Sequence, residues 1–440
     1  MAQSLRPKAD KPLHSAPLRD SMEALRFAPP TEVRVTSRCF SDCIWLARFF
    51  AIALLFLSSA ATAQQPPAFS ADLRDIANDH IYNLEYEAAT AVLEKCLAKD
   101  PHDLRALNLL ANAMLRREMF RKGLMEVAVY GDEGDVYKPA KTAPNQQFED
   151  ALMQVLNRSL DIANQRIAKN PKDVEAYYWA GVTYGTRGIY NFSVRRSYSA
   201  ALGDSKNAVR FHRKVLELDP QSVDPLLTVG VHNYVVGSLP WYLKVFAKLS
   251  GTHGNKAEGL AQVKRVTEQG NYARDDARFV YALLTMREGN TAEALRTLKL
   301  LSADFPRNFL LMQEVAGVHR VRKEWASALE TYDEIFARRQ IGAPGFTEIP
   351  AARLFYLAGQ TANNAGEPVR ALRYFEQGLA LNTADVYVMR SKFEAARLLQ
   401  QSQQHETARV LYQQVLEAAP NSPEGKLAKK ALQEYKRSSG

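Results

Sequence analysis

Gly254–Val266 reads G-N-K-A-E-G-L-A-Q-V-K-R-V, and Gly289–Leu301 reads G-N-T-A-E-A-L-R-T-L-K-L-L. The two stretches align without a gap, 35 residues apart, with their small and apolar positions at helical spacing. A recurrence of this length marks a repeat array, in which each unit is a supersecondary element that cannot bury its apolar face alone. Two further stretches carry the same pattern. Y-E-A-A-T-A-V-L-E-K-C-L-A-K-D-P ends at Pro101 and V-L-Y-Q-Q-V-L-E-A-A-P ends at Pro420. In both, the helical beat stops at a proline, which lacks the amide that would continue a helix.

The pattern resembles the tetratricopeptide repeat, a unit of about 34 residues folded as two antiparallel helices. Its second helix carries a small residue, a bulky one four later, a small one three after that, and then a proline. Here the first small residue of that helix is Ala89, Gly123, Ser159, Ala208, Gly259, Ala294, Ala328, Ala371 and Ala408 in turn. The small residue expected at the centre of the first helix is Ala77, Ala111, Gly181, Gly230, Ala282, Ala316, Gly359 and Ala396. The third unit has no such residue, and one long helix over 146–168 is expected in place of its pair. The resemblance implies an all-α, right-handed superhelical solenoid of about nine degenerate repeats over residues 70–420, with a capping helix and tail at 421–440. In the capping helix, Leu427, Ala428, Ala431 and Leu432 are expected to face inward and the lysines outward.

Two adjacent units are stretched. The fourth has about 15 extra residues from Ile189 onward, and the fifth about 17 from Gly237 onward. Gly237 and Pro240 should end a helix, a short amphipathic helix should run from Trp241 to Leu249, and Gly251 and Gly254 should turn into the next. A smaller insertion, Arg339–Pro350, joins the seventh unit to the eighth. Insertions in solenoids collect on one face, often the binding face. Tyr190, Phe192, Arg195, Arg196, Tyr198, Trp241, Tyr242 and Phe246 are therefore the candidate binding residues, a composition enriched at recognition hot spots.

Ahead of the array, Arg48, the apolar run Phe49–Leu57 and the small residues Ala61-Thr62-Ala63 have the order of an export signal, with cleavage expected between Ala63 and Gln64. Residues 35–63 are read as the signal, 1–34 as an extension beyond the natural start, and 64–69 as a short linker. The apolar run is too short to span a bilayer, so no stable span is expected after cleavage, and a periplasmic or otherwise extracytoplasmic location follows. The chain carries a formal +9, of which +6 remains beyond residue 63. That modest excess, with no basic run interleaved with aromatics, argues against nucleic acid. Cys39 and Cys43 precede the cleavage point. Cys96, left alone, falls on an inward face and is read as a small buried hydrophobe.

No catalytic, nucleotide or metal-ligand spacing is visible, and no cofactor and no enzymatic activity are expected. His232 and His253 flank the fifth insertion and are read as surface or capping residues. Some tetratricopeptide domains clamp a C-terminal carboxylate with a basic residue and asparagines on successive first helices. Arg74, Asn78 and Asn112 match those positions, but Gln146 and its neighbours replace the further basic residues, so a clamp is not expected. The expected function is an exported scaffold for a protein partner. A glycan- or small-ligand-binding module using the aromatic insertions is the alternative.

Overall fold

The computed structural model describes residues 72–125, 145–240 and 253–438, apart from residues 382 and 384. Among them are seventeen α-helices and no strand. In chain order these are α1 (Leu73–Tyr82), α2 (Tyr86–Lys99), α3 (Leu104–Arg121), α4 (Gln146–Lys169), α5 (Val174–Ser193), α6 (Tyr198–Leu218), α7 (Leu226–Gly237), α8 (Lys256–Gln269), α9 (Arg274–Arg287), α10 (Thr291–Asp304), α11 (Phe309–Val321), α12 (Trp325–Gln340), α13 (Ala351–Asn364), α14 (Pro368–Leu379), α15 (Val386–Gln401), α16 (His405–Ala418) and α17 (Pro423–Ser438). The fold is an all-α helical-repeat solenoid. Seven regular hairpins, α1/α2 and α5/α6 through α15/α16, are joined by α3 and α4 and closed by α17.

The starts and stops follow from side-chain chemistry. Asn255 and Asn290, the asparagines of the two matching stretches, cap α8 and α10 by accepting from the N–H groups of Glu258 and Glu293. Pro101, Pro171, Pro220, Pro306 and Pro420 each lie two residues beyond the end of a helix. Five hairpins share one turn: Leu84, Gly289, Lys323, Gly366 and Gln403 are left-handed, with φ between 59° and 80°. The next residue in each case donates back to the helix, as Glu85 N–H does to the His80 carbonyl at 2.8 Å and Glu324 N–H to that of His319 at 2.9 Å. These bonds satisfy carbonyls that the helix end would otherwise strand.

The small residues read from the sequence lie at helix contacts. All eight on the first helices are buried, and so are Ala89, Ala208, Gly259, Ala294, Ala328, Ala371 and Ala408. α7 and α8 approach closely. A Cβ on Gly259 would lie 2.4 Å from the Gly230 carbonyl oxygen and 2.4 Å from the Tyr234 nitrogen. Cys96 is buried with Ile81, Tyr86 and Leu93, and burial pushes its thiol above the ordinary range.

Several local expectations change. Gly123 does not pack a second helix; at φ 64° it is the turn residue that ends α3. Ser159, on the long helix expected at 146–168, packs α4 between α3 and α5, bonding to Asn108 at 3.1 Å and Thr183 at 2.9 Å. The residues inserted in the fourth unit form no loop. They lengthen α5 and α6 to 20 and 21 residues, because Ile189, Tyr190, Ala201 and Ala208 continue the buried stripe. Arg339–Pro350 is no free loop either. Phe346 is buried in it, and Gly345 touches the Arg307 turn so closely that a Cβ would lie 1.9 Å from that carbonyl oxygen. On α17, Ala428 is buried and Ala431 and Leu432 are half-buried, but Leu427 is turned outward. Residues 1–63, including the stretch read as an export signal, and the helix expected at Trp241–Leu249 lie outside the described residues.

Candidate functional site

The inner face of such an array is lined by the first helices, and along the first half of this one the chain packs against itself. Tyr82 at the end of α1 stacks on Phe305, with ring centroids 4.5 Å apart, and its hydroxyl donates to Asp276 on α9. Arg116 of α3 reaches the same carboxylate at 3.0 Å, and both of these charged side chains are buried. Burial is the main cause holding the Tyr82 hydroxyl well above its ordinary pKa, with Asp276 adding to it. Around this centre, Arg307 binds Glu85 at 2.8 Å and Asp79 at 2.6 Å, and its backbone N–H donates to Asn83. Deeper in, Arg105 lies 4.8 Å over the Tyr272 ring, which packs against Trp179 at 5.3 Å. The cavity left beside Tyr82, Arg116 and Asn308 measures about 20 Å³, room for roughly one water.

This closure settles the arrangement of the clamp positions. Asn78 and Asn112 are buried, and Arg74 is engaged by Asp72 and Asp103. No carboxylate clamp is formed there. The candidate residues of the fourth unit are split between core and surface. Tyr190 is fully buried, because α5 continues through it. Phe192 is half-buried and meets Tyr198 edge-on at 5.2 Å. Arg195 is paired with Glu149 at 3.3 Å, and Arg196 and Tyr198 are exposed. Trp241, Tyr242 and Phe246 lie outside the described residues. His232 is half-buried, and burial takes its pKa down to about 4. His253 is exposed. Among the described residues no His, Cys, Asp and Glu side chains group to hold a metal, and no helix is long and apolar enough to cross a membrane.

Beyond the closure, α13 and α15 carry a different row. Arg353, Tyr356 and Gln360 follow at i, i+3 and i+7 on α13, and Tyr387, Arg390, Glu394 and Arg397 share one stripe of α15. All are half-buried, so each has a surface to offer. Tyr356 and Tyr387 lie 5.6 Å apart, and the guanidinium groups of Arg353 and Arg390 lie over the Tyr387 ring at 5.8 and 5.4 Å. Gln360 donates to the Tyr356 hydroxyl at 2.7 Å and approaches Arg320 of α11. Arg390 also pairs with Glu424 at 3.2 Å, and Arg397 with Glu394 at 3.3 Å. Burial raises the Glu394 carboxyl above its ordinary range in spite of Arg397. Stacked arginines of this kind are held in place while their N–H edges suit carboxylates in a fork geometry. The row was not singled out in the sequence. Its signal was available, because Gln360 and Arg397 each directly follow a packing residue, Gly359 and Ala396.

No family model and no curated protein matches the chain. Among solved structures it is similar to the Cut9–Hcn1 hetero-tetramer of the APC/C, at 15% identity and a TM-score of 0.41 over 82% of this chain and 55% of that one. It is also similar to PilW, a widely conserved type IV pilus biogenesis factor, at 17% identity and a TM-score of 0.36 over 55% of this chain and 93% of that one. Yeast Tom70 is matched at 13% identity and a TM-score of 0.35 over 83% and 89% of the two chains. The chain thus spans about half the length of the first of these. At such scores the likenesses say nothing about partner or role. The repeat architecture rests on this chain's own hairpins, their shared turn and their buried small residues.

Proposed function

We propose that this protein is an exported scaffold that holds a protein partner by an extended, acidic segment laid along the first helices of its last hairpins. The observation that supports this reading is the stacked Arg353–Tyr387–Arg390 group, with Tyr356 and Gln360 beside it. Tyrosine rings supply contact area with few rotatable bonds, and arginines supply charged hydrogen-bond donors, the pairing common at recognition hot spots. Tyr82 and Asp79 of α1, Arg116 of α3 and Asp276 of α9 are turned to the self-contact described above, whereas the row on α13 and α15 is not part of it. Export rests on the signal-like order of residues 35–63.

Two experiments test the proposal. Mass spectrometry of the native protein should find Gln64 at the N-terminus, and an intact chain retaining residues 1–63 would defeat the export reading. Arg353→Gln with Arg390→Gln should abolish capture of acidic peptides from a display library, with circular dichroism checking that the double variant still folds. Unchanged capture by a folded double variant would remove this row as the binding site.

A further inference from the structure

The lengthened α5/α6 hairpin carries an exposed patch, on elements other than those of the row proposed for the protein partner. Tyr198 and Leu202 lie one turn apart on α6 and are 58% and 53% exposed. Phe192 backs Tyr198 edge-on from the end of α5. Large apolar side chains so exposed on a soluble face mark an interaction site when they cluster. Further along the same face of α6 come Lys206 and Arg210, at i+4 and i+8 from Leu202, and both are exposed. Arg196 stands in the turn before α6, also exposed.

The exposed charges on α6 from Tyr198 to Arg210, and Arg196 before it, have one sign. Asp204 is turned inward, where it binds Arg187 at 2.7 Å and Asn191 at 2.8 Å. Glu149, the other nearby acid, is engaged by Arg195. Glu217 lies seven residues, about two turns, beyond Arg210 and pairs with Lys214. The outward stripe from Tyr198 to Arg210 therefore presents rings and a leucine at one end and uncompensated cations behind them. That order matches the interface of an anionic bilayer, where apolar groups enter the headgroup boundary and cations meet the phosphates. A protein partner of standard size would need a larger apolar centre than one aromatic pair and a leucine.

We infer that the α5/α6 tip is a docking site for an anionic phospholipid surface, entered by Tyr198 and Leu202 and held by Arg196, Lys206 and Arg210. This goes beyond the proposed scaffold function and does not depend on it. Each basic residue near such a surface strengthens binding about fivefold, an effect that weakens with salt.

The test is sedimentation of the full chain with vesicles of equal parts phosphatidylglycerol and phosphatidylcholine, against vesicles of phosphatidylcholine alone. Any binding by the apolar stretch near the N-terminus is common to every variant and cancels in the comparison. Lys206→Gln with Arg210→Gln should weaken binding to the anionic vesicles roughly 30-fold, from two such fivefold effects. Tyr198→Ser with Leu202→Ser should weaken it by about tenfold or more through lost apolar burial. Because all four side chains are exposed, both variants should melt as the parent does, and the two pairs are independent should one misfold. Equal binding of parent and folded variants to anionic vesicles overturns the inference. So does a parent that prefers polyglutamate beads to the vesicles and loses only that preference in the variants.

Discussion

Replacing Asp276 by Ala should release the first hairpin from the rest of the array. Asp276 and Arg116 meet at 3.0 Å with side chains 0% and 3% exposed, and the Tyr82 hydroxyl is bound to the same carboxylate. Removing one member of a buried pair strands the other charge in a poorly solvated site, which costs about 3–5 kcal/mol. The loss is expected to be local. Among the described helices α1 and α2 stack against α3, and their further support comes from Asp276 of α9, Phe305, Arg307, Asn308 and the packing of Leu84 near Phe309. Repeat arrays open at such weak ends before they unfold globally. Hydrogen exchange should therefore quicken on the order of 10²-fold or more in residues 73–99, and not in residues 405–418. Replacing both members, Arg116→Leu with Asp276→Leu, should restore most of the loss, because an apolar pair leaves no stranded charge. A single variant that loses less than about 1 kcal/mol, or that quickens exchange equally in both regions, would refute a latch centred on this pair.

Three other outcomes are expected. His212 is buried against Gly181 and Tyr178, and burial takes its pKa from an ordinary 6.5 down to about 4, so the unfolded chain binds the proton more readily below pH 6.5. Through His212 alone, stability should be full above pH 6.5 and fall by roughly 3 kcal/mol as pH drops to 4, and His212→Leu should remove that share of the slope in urea titrations, leaving the share carried by His232. Gly259→Ala should cost about 1–3 kcal/mol, read as a lower urea midpoint, since its Cβ meets backbone that cannot swing aside. Ala328→Leu, at a fully buried contact, should overpack α12 by a similar amount. An unchanged midpoint in either would mean that the helices do not approach there as described.

The repeat architecture was legible because its determinants are local. A small residue at Gly359 or Ala396, a proline two residues past a helix, and an asparagine before one each act within a turn or two of chain, and all leave a mark in the sequence. The failures have a common cause as well. Gly123 reads as a packing residue in the sequence because glycine serves both a close contact and a left-handed turn, and only the length of α3 decides between them. Tyr190 reads as a surface ring only if an insertion is equated with a loop. An insertion that keeps the 3.6-residue beat lengthens the helix and carries its ring into the core. The self-contact was out of reach altogether. Tyr82 and Asp276 are 194 residues apart, and nothing near either residue in the sequence points to the other.

That self-contact alters what the inner face can bind. In an open array every first helix offers its outward row to a ligand, and the positions of Asn78 and Asn112 would be recognition sites. Here those side chains are buried, and neighbouring polar groups that would meet a peptide, Arg116, Asp79 and the Tyr82 carbonyl, meet Asp276, Arg307 and Asn308 instead. A ligand for that half would have to displace an ion pair with no exposed carboxylate and the stacked Tyr82–Phe305 rings. The differential affinity needed to open it is at least the several kcal/mol that the latch contributes. Recognition at lower cost falls to surfaces that are already formed, the α13/α15 row and the α5/α6 tip. The Asp276→Ala chain separates these cases. If it captures acidic peptides as the parent does, the first half is structural. If capture rises in step with exchange of residues 73–99, the closed half holds a ligand site that the latch keeps shut.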